Sequence, residues 1–160
     1  MRSPLHRLLI EWMGTEAVSY ALCDYPGALD QLLVHMAETD APAHALAADS
    51  AAEALWSAEN ITAWITTPDL FGRHCLPYYE GVASLLQGRG KPYGVHMDGQ
   101  LQALVEPIAA CPLDFVEGFT PPPIGDLELE DARRAWPEKV LWTNFPGSEF
   151  RRTDEQVIQY

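Results

Sequence analysis

The sequence predicts an α/β protein: about four parallel strands with helices between them, entered through a helical N-terminal segment. Three observations predict it. Two short apolar runs, Tyr93–Met97 and Leu113–Phe119, flank a helix-like segment, Gln100–Ala110. Each run ends in imidazole or carboxylate groups followed by Gly or Pro, the order of a strand, a turn, a helix and a strand. The rest of the chain reads as more of the same unit, with no other repeat and no low-complexity tract.

Ser3-Pro4 opens the first helix, Ser as N-cap and Pro at the first helical position. Leu5, Leu8, Leu9, Trp12 and Met13 form its apolar stripe, and Gly14 stops it. Thr15-Glu16 starts a second helix that runs through Cys23. Asp24 and Pro26 start a third, carrying Leu29, Leu32, Leu33 and Met36 towards Ala52, with Pro42 expected to kink or divide it. Ala54–Ala58 is short and apolar and is expected to be the first strand, with Glu59-Asn60 behind it. Thr67-Pro68 caps a helix from Asp69 to Gln87, in which Pro77 predicts a bend near Leu76. Gly88-Arg89-Gly90 ends that helix ahead of the strand at Tyr93.

After the strand ending at Phe119, the Pro-rich stretch from Thr120 to Asp126 has no helical option. Leu127 to Trp136 reads as a helix with acids in its first turns and arginines later, matching the macrodipole. Lys139–Thr143 is the fourth strand, and the loop from Asn144 to Gly147 follows. Thr153 caps a last helix expected to reach Tyr160. Residues 1–53 thus form a helical lead-in, and 54–160 carry the βα units of the same single domain. A full eight-stranded barrel needs about 250 residues, so these 160 make either a small open sheet or part of a barrel.

Ten basic against 23 acidic residues give a formal charge of −13. Nucleic acid is not an expected partner, because counterion release needs clustered Lys and Arg. A hydrophobic content of 48% with 21% charged residues fits a soluble globular chain with a real core. No apolar run approaches the length of a membrane span. The N-terminal stretch carries Glu11 and no small-residue cleavage site, so it reads as a structural helix rather than a signal peptide. A cytoplasmic location is expected. Cys23, Cys75 and Cys111 are odd in number and widely spaced, which disfavours a disulfide framework or a thiolate zinc finger. All three are expected to be buried as small hydrophobes.

Chemistry concentrates at the ends of the two central strands. Along Tyr93–Met97 side chains alternate, so Gly94, His96 and Asp98 share one face while Val95 and Met97 share the other. In the next strand Phe115 and Glu117 share a face, which brings Glu117 to the height of His96. An imidazole and two carboxylates converging there could bind a divalent metal through nitrogen and oxygen ligands. They could equally form a general acid/base group, the carboxylate fixing the imidazole tautomer. A hydrogen-bond network that only holds the loops together is the structural alternative. Asn60 and Asn144 follow the first and fourth strands and could line the same mouth, contacting substrate or capping loops. Asp126 could contact substrate or N-cap the Leu127 helix. His6, His35, His44 and His74 lie on helices and read as surface or packing residues. No P-loop, GxGxxG, GxSxG or HExxH motif is present.

The succession "AENI", "TPDLFGRHCLPYYEGVASLLQGRGKPYGVHMDGQLQALVEPIAACPLDFVEGF" and "PPIGDLELEDARRAWPEKVLWTNF" resembles the carboxyl-side part of the uroporphyrinogen decarboxylase superfamily. That superfamily includes the corrinoid-dependent methyltransferases. The resemblance runs from about Leu5 to Tyr160 and is most specific from Thr67 to Asn144. It implies a (βα)8 architecture, of which this chain would be a partial (half) TIM-type βα barrel. It also implies lyase or methyltransferase chemistry at the strand ends, on a small-molecule or tetrapyrrole- or corrinoid-linked substrate. His96 matches the histidine of the methyltransferase H-x-C zinc motif, and Asp98 stands where its Cys would be; zinc would then be held by His96, Asp98 and Glu117. The decarboxylases' Arg-rich motif and late His are not in this chain, and the supply of nearby cations for substrate carboxylates is thin (Arg73, Lys91). A catalytically incomplete binding or assembly fragment is the other reading. A half-barrel leaves two open sheet edges, so a homodimer is expected.

Overall fold

The computed structural model describes residues 2–159 of the chain. Four parallel strands form one sheet in the order β1 (Leu55–Ser57), β2 (Tyr93–His96), β3 (Phe115–Phe119), β4 (Val140–Thr143). The strands lie where the apolar runs predict them, each trimmed by one or two residues. Helices connect them on one side, as parallel pairing requires. No described helix is long and apolar enough to cross a membrane.

The lead-in begins with α1 (Pro4–Arg7), which widens into a π-helical turn over Leu8–Trp12. Leu5, Leu8 and Leu9 are buried as the stripe predicts, but Trp12 and Met13 are exposed. The wide turn rotates them off the stripe, and the Arg7 guanidinium lies 5.4 Å from the centre of the Trp12 ring. Helix α2 (Thr15–Asp24) follows, then α3 (Pro26–Ala48), which packs on α1 and α2. Pro42 does not divide α3. It removes one ladder bond, but Pro42 and Glu38 are exposed, so water can satisfy the Glu38 carbonyl, and the flanking Ala-rich sequence favours helix. Leu29, Leu33 and Met36 are buried, whereas Leu32 is exposed.

Thr67 caps α4 (Pro68–Leu70), its hydroxyl accepting from the Leu70 amide. A second π-helical turn, Phe71–Cys75, leads into α5 (Leu76–Gln87). The bend expected near Leu76 is this wide turn, with Pro77 in the first turn of α5, where no amide is needed. The helix expected over Gln100–Ala110 is shorter: a 3₁₀ turn at Gln102–Leu104, then α6 (Val105–Ala110). Helix α7 (Leu129–Ala135) starts two residues later than its acidic run suggests. A 3₁₀ turn at Gly147–Arg151 precedes α8 (Asp154–Ile158), where Thr153 and Gln156 form a capping box. Tyr160, the expected end of that helix, lies outside the described residues.

Register decides which side of the sheet each residue serves. Ser57, Val95, Val116 and Leu141 form one row, and Val95, Val116 and Met97 are fully buried beneath the helices. Helix α5 lies on β2 and α3 lies on α5. The rings of Tyr79 and Tyr93 sit 6.5 Å apart between α5 and β2, and Phe119 meets Trp136 edge-on at 6.3 Å. Trp56, Gly94, Phe115 and Val140 make the next row, on the opposite side, as do His96, Glu117 and Trp142. Trp56, Val140 and Trp142 are exposed. The helices therefore cover one side of the sheet, and the side that carries His96 is bare.

Cys75 and Cys111 are buried, but Cys23, expected to be buried, is exposed near the end of α2. Burial raises the Cys75 thiol well above its ordinary range and the Cys111 thiol to about 12, so both are protonated at neutral pH.

Candidate functional site

His96 is the last residue of β2, and Glu117 is its direct register partner in β3. Strand pairing therefore places the two side chains on the same face at the same height. His96 Nδ1 lies 2.5 Å from Glu117 Oε2. Asp98, two residues on, brings Oδ2 to 3.5 Å from His96 Nε2, beyond good hydrogen-bond length. All three side chains are partly open to solvent.

The third wall is backbone. Gly118 takes φ +78° at an irregularity in the β3–β4 register, and a Cβ there would fall 2.5 Å from His96 Cε1. The imidazole thus lies directly against the Gly118 backbone, in space that only glycine leaves open. On the other flank the Gly94 position is filled by the Phe115 ring. The ring of His96 is held by a carboxylate, a glycine and the sheet itself.

The other candidates sit at the carboxyl ends of the strands but serve the loops. Asn60 is exposed and takes φ +60°, a left-handed turn residue behind β1. Asn144 donates from its amide to the Phe119 carbonyl at 2.8 Å and from Nδ2 to Thr120 Oγ1 at 3.4 Å, tying the ends of β3 and β4. Asp126 neither caps its own helix nor joins His96: Oδ1 accepts from the amides of Leu101 at 2.6 Å and Gln102 at 3.0 Å. It caps the turn after β2 from the loop after β3, a non-local version of the expected role.

The three metal candidates are not gathered around one point. Among the described residues no group of three or more His, Cys, Asp and Glu is arranged to hold an ion. The reason is directional. Glu117 occupies the Nδ1 side of the ring and Asp98 faces the Nε2 side, so the two carboxylates diverge instead of meeting beside one ring nitrogen. Asp98 and Glu117 pair with His96, and with no Arg or Lys among the described residues. Arg73 is held by Asp30 at 3.3 Å on the wide turn before α5. Lys91 donates to the Ser50 carbonyl at the amino end of β2, opposite the site.

A second ionisable cluster was not anticipated. Glu59, behind β1, is wholly inaccessible. Its Oε1 accepts from the Ser3 amide at 2.6 Å and its Oε2 from Ser3 Oγ at 2.9 Å. His6 Nδ1 lies 2.9 Å from Oε2, and His6 Nε2 lies 3.0 Å from Thr66 Oγ1. Ser3 stands at the N-cap position, but its hydroxyl serves Glu59 instead of the helix. The i, i+3 spacing of Ser3 and His6 was readable. Their acid lies 56 residues from Ser3, and no local pattern announces it. Because Ser3, His6, Glu59 and Thr66 are all buried, this cluster fastens the lead-in to the sheet and does not meet substrate.

His35 is exposed. His44 Nε2 lies 3.0 Å from the Tyr78 hydroxyl, and His74 Nε2 lies 3.7 Å from Asp30. Burial lowers both pKa values below the usual 6.5. Each ring therefore binds its proton less readily folded than unfolded, so their contribution is intact above pH 6.5 and is lost as pH falls through the lower folded values. Urea midpoints are expected to decline between pH 7 and pH 5, with a shallower slope in a His44→Asn/His74→Asn variant. An unchanged slope would exclude these two rings as the cause.

Comparison with models of protein families gives no match, and no curated protein matches the chain significantly.

Proposed function

We propose that the chain is a lyase-type acid–base enzyme of the uroporphyrinogen decarboxylase kind, with His96 as the proton-transfer group. The observation that carries this reading is one imidazole held between two carboxylates at the carboxyl end of a parallel strand. The Glu117 carboxylate accepts the Nδ1 proton and so selects the tautomer that presents the Nε2 lone pair. Nε2 takes a proton from the substrate and returns it, and in between the imidazolium keeps its Nδ1–H bond to Glu117, with the Asp98 carboxylate 3.5 Å from Nε2. The H-x-D-G and D-x-x-E patterns that resemble the superfamily support the reading, and so does a single sheet of four parallel strands, which is consistent with half of a barrel.

The zinc-dependent methyl-transfer version loses support, because its three ligands diverge. A multiply carboxylated tetrapyrrole is also disfavoured: it would meet two carboxylates without a cationic clamp. A small carbon acid with at most one carboxylate fits better. The bare sheet side favours one other reading, a binding or assembly fragment whose site is incomplete alone.

The test is twofold. Histidine ¹⁵N spectra are expected to show His96 as the Nδ1–H tautomer, and Glu117→Leu, which removes the acceptor, is expected to abolish that signature. Deuterium wash-in from solvent into a panel of β-keto and pyrrole-acetic acids is expected to fall by about 100-fold in His96→Asn. If wild type and His96→Asn exchange at the same rate, His96 is not the proton carrier. Binding without exchange would move the assignment to the fragment reading.

A further inference from the structure

Parallel sheets are covered on both faces, because both carry apolar side chains. Here one face is covered. On the other, Trp56, Trp142 and Val140 are 45%, 58% and 62% exposed. Phe115, Val140, Leu141 and Trp142 line a hollow of about 520 Å³. Large aromatic residues facing water on one face of a sheet mark an interaction surface.

The edges say what covers it. Among the described residues β1 pairs only with β2, and β4 only with β3. The amides of Val140 and Asn144 point at β3, bonding Asp114 O and Phe119 O at 2.8 Å, so by alternation those of Leu141 and Thr143 face the open edge of β4. The amide of Leu55 bonds Pro92 O, so that of Trp56 faces the open edge of β1. A helix or a peptide laid on the face would cover the tryptophans and leave both edges bare. A second copy related by a two-fold axis along the strands does both at once. It sets β4 of each copy beside β1 of the other, parallel in each case, and four strands become eight. Eight is the number at which a parallel barrel closes with an interior that side chains fill.

Size points the same way. Four strands about 4.8 Å apart and about 15 Å long present a face of only about 300 Å², against about 800 Å² per partner in a stable pair. A face-to-face stack is therefore too small. Edge pairing adds the strand margins and the mouth loops, where Trp64, Ile65, Ile124 and Phe150 are exposed.

We infer that a second copy of this chain closes the bare side, β4 of each copy pairing with β1 of the other around a shared interior. His96 and Glu117 then face that interior instead of open solvent. The pairing stands whether or not His96 transfers protons.

Sedimentation at micromolar concentration is expected to give twice the chain mass of 17.8 kDa. Val140→Lys and Trp142→Lys are each expected to weaken association about 100-fold. Leu46→Lys, on the exposed side of α3, is expected to leave it unchanged. Should the lysine variants fail to fold, hydrogen exchange on the wild type decides: protection of the Leu141, Thr143 and Trp56 amides rises with concentration. A folded monomer at tens of micromolar would overturn the proposal. So would open-ended filaments, a dimer indifferent to both lysines, or edge amides that exchange alike at all concentrations.

Discussion

Glu59→Ala is expected to lower the melting temperature by about 15 °C. The carboxylate receives the Ser3 amide and hydroxyl and faces His6, with no solvent reaching any of them. Removing it strands buried donors and leaves a void where their acceptor stood. Breaking a buried charged cluster by removing one partner costs about 3–5 kcal/mol, and in a chain of this size each kcal/mol shifts the midpoint by about 2–4 °C. Glu117→Ala is the control: that side chain is 20% exposed and its partner His96 23%, so solvent replaces the lost contact and about 1 kcal/mol or less is expected. In a double-mutant cycle Ser3→Ala and Glu59→Ala are expected to be strongly non-additive, because they delete the same contacts. A loss below about 1 kcal/mol for Glu59→Ala would mean that the cluster is hydrated in solution.

Gly118→Ala is expected to damage the site more than any change that leaves the side chains of His96, Asp98 and Glu117 in place. Two effects add. A left-handed backbone costs an L residue about 1 kcal/mol, and the new Cβ would sit 2.6 Å from His96 Nδ1, the atom that meets Glu117. The ring has to swing away, and the Nδ1–H tautomer loses its acceptor. Expected are a stability loss of about 1–3 kcal/mol, disappearance of the His96 signature in ¹⁵N spectra, and a fall in proton exchange comparable to His96→Asn. Gly90→Ala separates the two effects: Gly90 also has a positive φ, +70°, but a Cβ there meets nothing within 4 Å. It is expected to cost only the backbone strain. If Gly118→Ala behaves like Gly90→Ala, the glycine does not shape the site.

The residues that were legible in advance are those whose placement follows from parity. A strand has period two, so Val95 and Met97 must share one side and His96 the other, and a β/α alternation sets neighbouring strands parallel. Once β2 and β3 pair, Glu117 can reach His96 without further information. Turn chemistry was legible too: Thr67 and Thr153 cap the helices that their spacing announces. What escaped depends on partners far along the chain. Asp126 is an ordinary N-cap residue by its neighbours, but the nearest orphan amides belong to a turn 25 residues away. Glu59 reads as a solvated acid until α1 folds over it. The exposure of Trp12 turns on one widened helical turn, which no apolar stripe encodes. The metal expectation gains no support from the geometry: Glu117 and Asp98 lie on opposite ring nitrogens of His96, which residue type and strand height do not reveal.

The Ser3–Glu59 fastening makes residues 1–53 and 54–160 poor candidates for separate study. A clone trimmed to start at residue 54 would open Glu59 to solvent without its serine and its histidine, and would strip α3 from the back of α5. The shortest piece that keeps the acid dry is one that keeps the opening turn of the chain as its lid.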